Sequence, residues 1–146
     1  TVASEQSRVE IERTLQRYGA SRFGYMWENN ASVIVFEMMD RRIKFTLPLP
    51  DKSDPKYGKT PTGRIKRNAD SIQLAWEQDC RSRWRALLLC IKAKLESVES
   101  QIESFEEAFL PHIVLPNGQT VGEHMTPQIA DIYLTRKMPK ALMAAS

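Results

Sequence analysis

Apolar residues recur along the chain with two different periods, and the switches between them divide it into elements. Over Glu5 to Tyr18, Val9, Ile11, Leu15 and Tyr18 stand at mostly helical spacing. Gly19 follows where a helix end favours a left-handed residue, so a short amphipathic helix is expected. Three strand-like runs come next: RFGYMWE, then SVIVFEM beyond the Asn29-Asn30 turn, then RIKFTLPL beyond Asp40-Arg41. In the third, Ile43, Phe45 and Leu47 alternate with Arg42, Lys44 and Thr46, the period of two that sets one face of a strand in a core and the other in water. The runs predict an antiparallel β-meander with one wet face.

Prolines at 48, 50, 55 and 61 then exclude regular structure from about residue 48 to 69, which reads as a long, mobile, polar connection. Asp70, with Gln73 three residues on, has the form of a capping box, so a long helix is expected to start there. Its apolar stripe, Trp76, Cys80, Trp84, Leu87, Leu88, Ile91, Leu95, Val98, Ile102 and Phe105, recurs in steps of three and four. Such a stripe runs for roughly 45 Å of helix, more than a small domain needs for itself. Farther on, Asn117-Gly118 between apolar flanks predicts a β-hairpin. Thr126-Pro127 fits an N-cap and first helical position, so a closing helix is expected over Gln128 to Thr135, with a frayed tail after it. The fold class is α+β: an N-terminal helix, a three-stranded antiparallel meander, one long helix, then a hairpin and a short helix.

Composition refines this picture in two places. A chain of 146 residues with 42% hydrophobic and 27% charged residues suits one domain, residues 1–146, with a conventional core. Cys80 and Cys90 lie ten apart on the long helix, roughly 15 Å, too far for an intrachain disulfide. They read as free thiols in a reducing compartment unless they pair between chains, and the most apolar run, WRALLLCIKAKL, is interrupted by three cations, so a cytoplasmic protein without a membrane span is expected.

The net charge of +3 is too small to identify a partner, but its distribution is uneven. Between Asp51 and Leu95 eleven cations face five anions, a local excess of six. Lys56, Lys59, Arg64, Lys66 and Arg67 fall in the proline-rich connection, while Arg81, Arg85 and Lys92 lie within about 40° of one another around the long helix. Flexible cations spread over a surface are what a phosphate backbone requires. A solvated helix face beside a soluble loop accounts for the same run of charge.

Other candidate chemistry is thinner. SDPKYGKT resembles a phosphate-binding loop only in its last three residues: Ser53 stands where the first glycine is needed, Pro55 removes an amide, and Pro61 follows where the helix should begin. Phe23, Tyr25 and Trp27 share one strand face and would suit base stacking, although the simpler expectation is a surface that receives the long helix. His112 and His124 are twelve apart without companions at metal-ligand spacing, and neither cysteine has a neighbouring base. No catalytic residue, metal or cofactor is expected, and the protein reads as a non-enzyme.

The stretches IERTLQRYGA, LPLPD, WEQDCRSRWRALLLCIKAKLESVES and LPNGQTVGEHMTPQIADIY together resemble a family of small proteins encoded by tailed bacteriophages and prophages. The likeness spans most of the chain, carries no catalytic signature and assigns no residue a role. It implies a protein at work in the cytoplasm of an infected bacterium.

Two functions are compatible with these features. The leading one is a non-catalytic accessory protein that binds the backbone of DNA or RNA. The alternative is a protein-binding module, an adaptor or an inhibitor of a host defence system, acting on a host or phage protein through the long helix. That helix is dipolar, its basic first half followed by Glu96, Glu99, Glu103, Glu106 and Glu107. Either reading is compatible with a homodimer joined through Leu88, Ile91, Leu95, Val98 and Ile102, expected because one small domain would leave the stripe uncovered.

Overall fold

In the computed structural model, residues 2–58 and 68–140 are described. Helix α1 (Val2–Arg17) leads into strands β1 (Arg22–Glu28), β2 (Ala31–Met38) and β3 (Arg41–Pro48), followed by a 3-10 turn at Pro55–Gly58, helix α2 (Ala69–Glu99), helix α3 (Phe105–Phe109), a second 3-10 turn at Leu110–His112 and helix α4 (Val121–Thr135). The architecture is α+β, and the strands form an antiparallel sheet in the order β1-β2-β3.

The register follows the alternation in the sequence. Tyr25 lies opposite Ile34 and Ile34 opposite Phe45, so the apolar positions of three strands share one face. The opposite face carries Arg22 and Arg42 on either side of Glu37, at 3.7 and 3.3 Å. Ile34, Phe36, Ile43 and Phe45 are buried against Trp84, Leu88, Ile91 and Leu95 of α2 and against Ile11 and Leu15 of α1. Helices α1 and α2 lie parallel, since Glu10 meets Lys92 and, farther along both, Tyr18 meets Glu99.

Helix α1 begins three residues before the expected Glu5 and stops one before Tyr18. Its end is the glycine-type stop predicted at Gly19, whose φ of 101° is costly for any residue with a Cβ. There Ala20 N–H donates to Leu15 O at 2.9 Å and Gly19 N–H to Gln16 O at 3.1 Å.

The long helix differs at both ends from expectation. Asn68, not Asp70, caps it, the Asn68 side chain accepting from Ser71 N at 2.8 Å, which leaves Asp70 in the first turn beside the positive end of the helix. It ends at Glu99 instead of running to Phe105. Gln101 adopts φ 61°, Ile102 N–H reaches back to Ser97 O and Gln101 N–H to Val98 O, the same stop as at Gly19 built without glycine. Ser104 and Glu107 then cap each other to start α3, an element with too few residues to show a period. Phe109 of α3 is fully buried, with ring centroids 6.1 Å from Phe36 and 6.3 Å from Phe45.

These elements close the stripe within one chain. Leu88, Ile91 and Leu95, expected at an interface between copies, are buried by α1, the sheet and α3; Val98 is half-buried against the same core, and Ile102 is exposed in the link after α2. The apolar surplus read from the stripe is therefore absorbed internally.

The C-terminal hairpin does not form as a pair of strands. The Asn117-Gly118 turn is present, with Leu115 N–H donating to Gln119 O at 2.7 Å, but only the single bridge Val114–Thr120 follows. Ile113 instead bridges Ile43 on the outer edge of β3, and Thr120 enters a capping box with Glu123 that starts α4 at Val121. Helix α4 thus begins seven residues before the expected Gln128, and Pro127 lies inside it. Gly122 lets the helix touch the preceding turn: a Cβ there would come within 2.9 Å of Pro111 O.

Candidate nucleic-acid interface

The sheet end that carries the β1–β2 turn meets the basic half of α2. Trp27 pairs with Ser32, Ser32 with Leu47, and Leu47 precedes Pro48, whose carbonyl accepts from Arg83 Nη1 at 3.4 Å. The described part of the proline-rich connection is fastened to the same helix. Trp76 Nε1 donates to Pro50 O at 2.7 Å, and the buried Tyr57 hydroxyl donates to Asp79 Oδ2 at 2.6 Å. Burial, followed by the Asp79 carboxylate, pushes the Tyr57 hydroxyl far above its ordinary value, so it stays a donor. Lys52 lies 5.8 Å from the Trp76 ring centre and Lys56 5.0 Å from that of Tyr57, which brings two cations of the connection onto α2.

Four of the eight residues expected to bind phosphate, Lys59, Arg64, Lys66 and Arg67, lie outside the described residues. Of the other four, Lys56 lies in the 3-10 turn at Pro55–Gly58 and Arg81, Arg85 and Lys92 on α2, and they differ in availability. Lys56 is 3.7 Å from Asp79, Lys92 is 2.6 Å from Glu10, and Arg81 donates to Gln78. Arg85 is exposed and forms no ion pair among the described residues.

The aromatic face of β1 divides in two. Phe23 and Tyr25 pack against the core as expected, with Tyr25 5.8 Å from Trp84 and Arg8 4.5 Å above the Tyr25 ring. Trp27 corrects the expectation of three core aromatics, since 80% of its surface is exposed and its indole N–H donates to Tyr25 Oη at 2.5 Å. The signal was its place one residue before the end of a strand that closes on Asn29-Asn30. Arg83, Lys52 and Arg8 join the same region, and none was singled out by helical spacing alone.

Other candidate groups are taken up structurally. In the SDPKYGKT stretch, Ser53 N–H donates to Asp51 Oδ1 at 2.9 Å and Lys56 N–H to Asp54 Oδ1 at 3.0 Å, so two amides that a phosphate cradle would present are already satisfied by side chains. Cys80 is buried and burial raises its pKa, which keeps the thiol protonated; Cys90 is exposed. His112 stacks on Phe45 at 3.9 Å, while His124 lies 3.4 Å from Gln119 Oε1. Among the described residues no group of three His, Cys, Asp or Glu side chains could hold a metal, and no helix is long and apolar enough to cross a membrane. No protein family, curated protein or solved structure matches the chain significantly.

Proposed function

We propose that the protein binds single-stranded nucleic acid, without reading its sequence, as a non-catalytic accessory factor of the phage setting that its sequence pattern implies. One observation carries this reading: a tryptophan with 80% of its surface in water stands at the sheet end that meets the cationic half of α2. A single strand offers unpaired bases for the indole and phosphates for Arg83, Arg85, Lys52 and the cations of the connection. A duplex would keep its bases stacked away from Trp27, so preference for single strands is the mark of this arrangement. The alternative, a module that engages another protein through the long helix, loses the stripe of α2 as its contact surface because the core occupies it.

The test is a titration of short single- and double-stranded oligonucleotides at several salt concentrations. Binding to single strands should weaken linearly in log–log form as salt rises. Trp27→Ala should weaken it by about 1–3 kcal/mol, the worth of one stacked base. Equal affinity of Trp27→Ala and the parent chain would remove stacking from the reading, and absence of binding at low salt would end it.

A further inference from the structure

Among the described residues, α4 is the one long helix without a single buried residue. It is held to the body by its contact with the 3-10 turn at Leu110–His112, and its second half exposes Ile129, Tyr133 and Leu134, the last two to 71% and 83%. Met138, just past its end, is also exposed. Three cations, Arg136, Lys137 and Lys140, follow the helix.

Elsewhere the surface holds an open groove with an apolar lining. A groove of about 520 Å³ opens between the end of α1, the β2–β3 turn and the α2–α3 corner, with Met38, Met39, Leu95, Val98 and Phe105 as its apolar floor and lip. Met39 is exposed there, and Ile102 stands exposed on the link between α2 and α3. Around the corner lie Glu96, Glu99 and Glu103, which hydrogen-bond to Ser100, Tyr18 and Ser97 but form no ion pair among the described residues. Arg17 is the one cation in the lining, and Asp131 is the one acid in the second half of α4.

We infer that the groove receives the second half of α4 from a second copy of this chain. Tyr133 and Leu134 enter between Met39 and Val98, Asp131 turns toward Arg17, and the cations after the helix meet Glu96 and Glu103. Two exposed apolar surfaces with opposite flanking charge are thereby explained by one contact. A two-fold axis would repeat the exchange, so each chain gives a helix and accepts one. A partner of other sequence would have to match the same order of charge, whereas a second copy carries that match already. The α2 stripe takes no part, because it is core.

Three measurements decide the matter. Light scattering at tens of micromolar should give the mass of a dimer; a monomer at that concentration overturns the inference. The pair Tyr133→Ser with Leu134→Ser, and separately Met39→Glu, should each weaken the dimer at least tenfold with unchanged circular dichroism, because all three side chains are exposed within one chain. Loss in the α4 variant alone, with Met39→Glu still dimeric, would mean that α4 pairs elsewhere and would overturn the groove as its seat. Finally, Met39→Cys chains mixed with Leu134→Cys chains, both carrying Cys90→Ser, should form a disulfide between chains on mild oxidation. Yield no greater than that of Met26→Cys mixed with Leu134→Cys would overturn the contact.

Discussion

Lys92 on α2 and Glu10 on α1 form an ion pair of 2.6 Å, although 82 residues separate them in the chain. The pair holds the Glu10 carboxyl below its usual range, chiefly through the hydrogen bond from Lys92. A lysine already paired with a carboxylate neutralises little phosphate charge and so displaces few of the strand's counterions, whereas Arg85, near the same glutamate but without an ion pair among the described residues, is free to meet a phosphate. Arg85→Gln is expected to reduce the salt slope of single-strand binding by about 0.7, the value of one contact. Lys92→Gln should change it by much less. Equal losses in the two variants would place Lys92 in the binding surface after all.

The His112 ring titrates against the fold. Burial lowers its pKa, the Lys94 ammonium lowers it further, and the hydrogen bond to the Lys44 backbone opposes both without reversing them. With the folded pKa below the unfolded value of about 6.5, the unfolded chain binds the proton more readily. Stability is therefore full above that value and falls as pH drops through it toward the folded pKa. Urea midpoints measured from pH 7.5 to 5.5 should decline, and His112→Asn should flatten the decline while lowering the plateau, because the stack on Phe45 is lost.

Ser32 carries a buried hydroxyl without a hydrogen-bond partner among the described residues. An unsatisfied buried polar group costs about 1–3 kcal/mol. Replacement by alanine removes that cost and only a small volume, so Ser32→Ala should raise unfolding free energy by roughly 1 kcal/mol in denaturant titration. A destabilised Ser32→Ala would mean that the hydroxyl is satisfied in solution.

Phe109 closes the core from a five-residue helix. Phe109→Ala leaves a cavity among Phe36, Phe45 and Phe105, and the expected loss is about 3–5 kcal/mol, measured in the same way. A loss near 1 kcal/mol would show that α3 is a loose cover and not part of the core.

Much of the architecture was legible because it rests on period and on turn chemistry. Ile43, Phe45 and Leu47 alternate, Gly19 stops a helix, and the meander follows from both. What escaped was decided by residues acting against type. Gln101 takes a left-handed conformation that usually belongs to glycine, so the stripe read through it as continuous helix. Asn117-Gly118 does turn the chain, but Thr120 and Glu123 were already paired as a cap three residues apart, and that local signal prevailed over the hairpin. For the candidate site, the cation count could be read off, and the pairings could not. Lys92 is paired with a residue on a helix that sequence alone does not place beside it, and Trp27 is exposed although it shares a strand face with Phe23 and Tyr25, which pack on the core.

The bridge from Ile113 to Ile43 joins residues about 70 positions apart, and with the Val114 N–H bond to Arg42 O it covers the first part of the edge of β3. During synthesis at about 5–20 residues per second, the meander would stand complete for several seconds before that covering segment exists. Through this interval its apolar face also awaits α2 and Phe109, so the nascent sheet is exposed both at an edge and on a face. A chaperone that shields hydrophobic strands at the ribosome would have its window there, and the folded state should arrive only after Ile113 has left the exit tunnel.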